Sequence, residues 1–129
     1  KIAREQFWLD ECLQKTGAEQ EGRFSLVIAD AWAHLKAATE PYDVIVNEAF
    51  GGKRPLGPME TNEGARVVRE HLSDGGIYLA DVRCPMEGRR SAPLREVEES
   101  FGRVFSSCDV VPEWEEEPEK PGNNVFIVR

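Results

Sequence analysis

The chain has little cysteine, little histidine and no long apolar run. Its three cysteines, Cys12, Cys84 and Cys108, are odd in number and far apart. They make neither a disulfide framework nor a zinc-ligand pattern. They suit a reduced, cytoplasmic setting, each as a small packed thiol. The two histidines, His34 and His71, show no ligand spacing, so no metal site is expected. No apolar stretch approaches the roughly 20 residues that span a bilayer, and no signal-peptide pattern opens the chain. Membrane partners are therefore not expected. Basic residues are in the minority, 16 against 24 acidic, for a net charge of −8. That balance argues against nucleic acid, whose binding rests on neutralising phosphates, while an acidic cleft would attract a small cation. There is no internal repeat. The run Glu113 to Lys120, with Glu115-Glu116-Glu117, reads as a solvated loop.

What remains is an ordinary single domain over residues 1–129, with 40% hydrophobic and 31% charged residues. Residues 1–15 have helical spacing, with Phe7-Trp8-Leu9 and Cys12-Leu13 as the apolar positions and Thr16-Gly17 as the stop. No capping residue precedes this helix, which raises the expectation of an upstream segment. Phe24, Leu26, Val27 and Ile28 predict a strand ending at Asp30. Trp32 to Ala38 then predicts a short helix that Asp30 can cap. Trp8 and Trp32 are expected in the core.

The stretch Tyr42 to Gly52 carries the strongest signal. Val44-Ile45-Val46 is β-branched throughout and predicts a central strand buried on both faces. It ends in Asn47-Glu48, and ligands of open parallel α/β sheets bind outside the carboxyl ends of strands. A Gly- and Pro-rich loop follows, from Gly51 to about Glu60. A helix capped by Thr61 or Asn62 runs to about Leu72, and Ser73 to Gly76 is a turn. Ile77 to Val82 is a strand carrying Asp81. The loop Arg83 to Ser91 holds Arg83, Arg89 and Arg90. Pro93 opens a helix with Leu94, Val97, Phe101, Val104 and Phe105 on one face. The segments around Val110 and Val125–Val128 predict a final antiparallel strand pair. Alternation of helix and strand implies an α/β fold, a mostly parallel sheet with helices on both faces.

The order and these motifs resemble the spermidine synthase (polyamine aminopropyltransferase)-like family and its methyltransferase relatives. Arg23 to Ala31 followed by Tyr42 to Phe50 is similar to that family's strand, acidic end, short helix and next strand. Gly57-Pro58 with Met59 to Glu63, Ser73 to Ile77, and Gly122-Asn123-Asn124 with the last strand continue the likeness. The resemblance implies a three-layer Rossmann-like methyltransferase sheet, mostly parallel with an antiparallel last strand. The family's first two strands and its Gly-rich loop have no counterpart here. It implies a nucleoside cofactor, S-adenosylmethionine or its decarboxylated form, and possibly a polyamine acceptor. Asp30 falls where the family contacts the adenine amino group, with Ala31 beside it as a backbone contact. Asn47 joins them in the cofactor pocket, where Trp32 could line the adenine. Glu48 stands where the aminopropyltransferases place a catalytic Asp, one methylene longer, and would accept a proton from the attacking amine. Lys53 and Arg54 come with an insertion in the loop that gates the family's active site. The implied function is the C-terminal part of such a transferase. The alternatives are a degenerate interaction module or a small-molecule methyltransferase domain. The chain alone is expected neither to bind the cofactor nor to turn over. Unpaired strand edges predict a homo-oligomer, with the segment 24–29 re-paired.

Overall fold

A computed structural model of the chain describes residues 2–51, 54–55 and 60–129. The predicted gate loop lies largely outside the described residues, as do Lys53, Gly57, Pro58 and Met59.

Among the described residues a four-stranded sheet has the order β1-β4-β6-β5. The strands are β1 (Tyr42–Asn47), β4 (Leu72–Cys84), β6 (Gly122–Val128) and β5 (Cys108–Val111). A separate two-stranded ribbon joins β2 (Phe50–Gly51) to β3 (Arg54–Pro55). β1 runs parallel to β4, whereas β6 lies antiparallel to both β4 and β5. The architecture is the expected one, a mixed α/β sheet of Rossmann-like methyltransferase type with an antiparallel last strand inserted beside β4.

Alternation along the strands decides which face packs. Tyr78, Ala80, Val82 and Cys84 of β4 and Phe126 and Val128 of β6 are buried, as a period of two requires. Helices α4 (Asn62–Glu70) and α5 (Ala92–Gly102) supply Ala65, Val68, Leu94, Val97 and Phe101 to the same core. Phe101 is its centre, stacked on Tyr78 at 5.1 Å and on Phe105 at 5.7 Å, with Phe126 edge-on at 5.4 Å. Thr61 caps α4 by accepting from Gly64 N at 3.1 Å, and proline sits in the first turn of α5.

The turn expected at Ser73 to Gly76 is an irregularity inside β4. Tyr42 faces Leu72, yet Val44 already faces Ile77. Gly75 takes φ 78° to make the excursion. A Cβ on Gly76 would stand 3.1 Å from the Tyr42 carbonyl oxygen, so any larger residue would push β1 back by a few tenths of an ångström. Buried Asn124 fastens the other end of the sheet. Its Nδ2 donates to the Val82 and Cys84 carbonyls at 3.1 and 2.8 Å, and its Oδ1 accepts from Glu113 N at 3.3 Å.

Other expectations fail. The first helix is two, α1 (Ile2–Gln6) and α2 (Leu9–Thr16), broken at Trp8 with φ 53°. The break folds α1 back so that Arg4 reaches Asp10 at 2.6 Å and Glu19 at 2.8 Å. Trp8 is consequently 74% exposed and not in the core, and Cys12 is an exposed thiol, not a packed one. Residues 24–28 are extended but belong to no sheet. A strand needs a neighbour for its backbone groups, and none of the described strands lies beside this segment. Finally, β1 is an edge strand. Its single neighbour among the described residues is β4, and Val44 and Val46 are more than half exposed.

Candidate functional site

The site begins with α3 (Ala31–Lys36), whose start is dictated locally. Asp30 has extended backbone and its Oδ1 accepts from Ala33 N at 2.8 Å. That bond satisfies one of the orphan amides of the first turn. Leu35 anchors the helix in the core, and Trp32 packs against the core's edge. The acid expected at the cofactor is thus also the helix cap, and its second oxygen carries no bond among the described residues.

Across from α3 runs the free edge of β1. Between them lies a groove of about 410 Å³, lined on one side by Asp30, Ala31, Trp32, His34 and Leu35 and on the other by Tyr42 and the consecutive run Val44 to Ala49. Successive side chains of a strand point to opposite faces. A wall made of consecutive residues is therefore the strand's edge, not one of its faces. All four residues singled out from sequence, Asp30, Ala31, Asn47 and Glu48, meet in this groove. Arg89 and Arg90 do not line it; they sit exposed on a 3-10 turn.

Asn47 works within the protein. Its Nδ2 donates to the Tyr78 hydroxyl at 3.1 Å, and its Oδ1 accepts from Ala49 N at 3.1 Å. The first bond ties the end of β1 to the middle of β4; the second shapes the turn that carries Glu48. Glu48 itself is exposed and accepts no hydrogen bond among the described residues. Its charge is felt by Asp81, across the sheet's carboxyl end. Burial, then the Glu48 charge, push the Asp81 carboxyl up from its usual range; Arg83 opposes this and Glu113 adds to it. Among the described residues, buried Asp81 Oδ1 has no hydrogen-bond partner. Burial also pushes the Tyr78 phenol up to about 12, against the Asn47 hydrogen bond and with help from the Glu60 charge.

Tyr78 is the residue that sequence reasoning missed. It occupies a core position in the alternation of β4, where an aromatic reads simply as packing. Only the register Asn47 opposite Ala80 brings its hydroxyl to the site. Asp81 was visible as a polar residue late in a strand, but its electrostatic link to Glu48 was not.

No family model matches the chain. Spermidine synthase from Thermotoga maritima is a structural neighbour, with a TM-score of 0.65 and 17% sequence identity over 98% of this chain and 40% of that one. This likeness supports the Rossmann-like fold. Plasma membrane calcium-transporting ATPase 1 of Sus scrofa is 50% identical over 38 residues, 30% of this chain and 3% of that protein. The chain therefore spans less than half of the synthase and a small fraction of the ATPase, and a match of 38 residues assigns no family. Among the described residues no helix is long and apolar enough to cross a membrane, and no group of three or more His, Cys, Asp or Glu could hold a metal ion.

Proposed function

We propose that the groove is one half of a nucleoside-binding site in a spermidine-synthase-like, S-adenosylmethionine-type transferase domain. The observation that carries the reading is the convergence of Asp30, Ala31, Asn47 and Glu48 on one groove at the carboxyl end of β1. A sheet of this type binds its ligand at that end. The residues present fit a nucleoside on this side. The unused oxygen of Asp30 can accept from an exocyclic amine, the indole of Trp32 offers an apolar wall, and Glu48 is free at the rim. When bound, a decarboxylated S-adenosylmethionine would supply an alkyl carbon activated by its sulfonium. The chain's own contribution is positional and electrostatic. Asn47, held by Tyr78, fixes the turn that presents Glu48. Glu48 would attract a polyamine and accept the proton from its attacking nitrogen, which must be neutral to act as a nucleophile. Asp81 adds a second carboxyl, and the net charge of −8 favours a polyamine over an anionic acceptor.

The groove between α3 and β1 is open to solvent, so contact with a nucleoside is weak and its reacting carbon is not held in line. The expectation from sequence is no binding by this chain; the groove supports weak binding without turnover instead. Amide chemical shifts of the labelled chain, titrated with methylthioadenosine to millimolar concentration, test it. Shifts confined to Asp30–Trp32 and Asn47–Ala49, weakened in Asp30→Ala, support the reading. No shifts at those residues overturn it and leave the interaction module, which the exposed edge of β1 favours. Methyl transfer from S-adenosylmethionine to a small acceptor, in place of aminopropyl transfer to putrescine, by a longer chain that contains this one would make this a methyltransferase.

A further inference from the structure

Asn47 lines the groove, yet each end of its amide is bonded inside the chain. A backbone N–H can only donate, so the end facing Ala49 N at 3.1 Å is Oδ1, and Nδ2 faces the Tyr78 hydroxyl at 3.1 Å. This orientation holds only while the phenol accepts from Asn47. A phenol that donated to Asn47 would draw Oδ1 to itself, and the turned amide would set Nδ2 against the Ala49 N–H, donor against donor. The surroundings keep the phenol in its accepting role. Its ring is buried and stacked on Phe101 at 5.1 Å, so it stays in place. Asn47 stands two residues beyond Ile45, the register partner of Tyr78, and so projects from the same face of the sheet. The Glu60 charge acts on the phenol, and it draws the phenolic proton away from Asn47, leaving the oxygen's lone pairs to Nδ2.

We propose that Tyr78 is a positioning residue for Glu48: by accepting from Asn47 it fixes which end of that amide faces Ala49, and with it the direction in which the 47–49 turn presents the carboxylate. Asn47 then transmits position and holds no part of the nucleoside. Glu48 is exposed and accepts no hydrogen bond among the described residues, so the backbone of the turn is what places it. The relay begins in the aromatic cluster at the centre of the core and ends at the rim of the groove. A packed group therefore sets the bearing of a carboxylate that the open groove cannot hold. Such control matters because displacing a reacting group by about 1 Å costs on the order of 100-fold in rate. The role rests on Glu48 being the acceptor of the amine's proton, whereas the bonds that make the relay can be tested without any ligand.

NMR of the labelled chain with no ligand added tests the relay. Tyr78→Phe keeps the ring and its stacking but frees the Asn47 amide to turn. The Ala49 amide proton then moves upfield and exchanges about fivefold faster, the loss of one hydrogen bond of ordinary strength. A carboxylate accepts at both ends and has no wrong orientation. Asn47→Asp added to Tyr78→Phe therefore returns the Ala49 proton to its downfield position, a rescue that a mere loss of packing would not allow. Asp81 feels the Glu48 charge, so in Tyr78→Phe its carboxyl-carbon midpoint falls as Glu48 leaves its place. An Ala49 proton unmoved by Tyr78→Phe, a shift that Asn47→Asp does not restore, or an Asp81 midpoint that stays put in Tyr78→Phe would each overturn the proposal. Failure of methylthioadenosine to bind would leave all three readings unchanged, so the relay and the nucleoside site can fail separately.

Discussion

The phenol of Tyr78 links the core to the site, and its protonation gives a prediction whose sign reverses with pH. Tyr78 is 1% exposed, and its pKa stands at about 12 against an ordinary 10.0. The folded chain therefore holds this proton more tightly than the unfolded chain. The stability that the neutral phenol contributes is complete below the unfolded value and is lost as pH rises through the folded one. Two pKa units correspond to about 3 kcal/mol, and at this burial solvent screening does not reduce the figure. Tyr78→Phe removes the titration. It also removes the acceptor of the 3.1 Å bond from Asn47 Nδ2, at a cost of about 1 kcal/mol. At neutral pH the native protein is therefore the more stable of the two by about 1 kcal/mol; near pH 12, where the folded phenol is half ionised, the Phe variant leads by about 1 kcal/mol. Urea unfolding of both proteins across this range measures the difference, since all other alkaline titrations are common to both. With Tyr42→Phe as background, Tyr78 is the one remaining phenol of the chain's two, and its near-ultraviolet absorbance reports its ionisation directly. A phenolate appearing near pH 10 in the folded protein, or stability curves that never cross, would refute the reasoning.

Three further outcomes follow from the same geometry. Asn124→Leu forfeits the bonds to Val82, Cys84 and Glu113 and should lose about 2 to 3 kcal/mol in urea unfolding, whereas exposed Asn123→Leu should change little. Phe101→Ala empties the centre of the aromatic cluster and should cost about 3 to 5 kcal/mol; a loss under 1 kcal/mol would mean the core is not packed as described. Asp81 has a folded pKa above its ordinary 3.8, so its contribution to stability falls as pH rises through the folded value. Asp81→Asn should therefore flatten the stability profile in that window and stabilise the chain at neutral pH. Glu48→Gln should lower the Asp81 midpoint seen by carboxyl-carbon NMR, and an unmoved midpoint would break the proposed coupling.

Several elements were legible residue by residue because their causes are local. The cap at Asp30, the Thr61 cap, the proline in the first turn of α5 and the alternation in β4 and β6 each follow from neighbours in sequence. Helix and strand order followed from them, and with it the α/β fold. The failures share one cause. The sequence over 24–28 reads as a strand and the sequence over 44–46 as a central one, yet a strand's status depends on what lies beside it. The apolar spacing of residues 1–15 could not reveal the reversal at Trp8, which comes with pairing Arg4 to Asp10 and Glu19.

The site divides along the same line. Asn47 and Glu48 could be marked from sequence because they end the apolar run of β1, and Asp30 because it can cap a helix; their roles, and Ala31 beside Asp30, came from the family resemblance. That they share one groove, that Asn47 is occupied by Tyr78, and that Glu48 acts on Asp81 depend on the register between β1 and β4. Register is a relation between segments some thirty residues apart, set by packing on one face of the sheet. Local sequence determined which residues could do chemistry; only the tertiary structure decided which of them are free to do it.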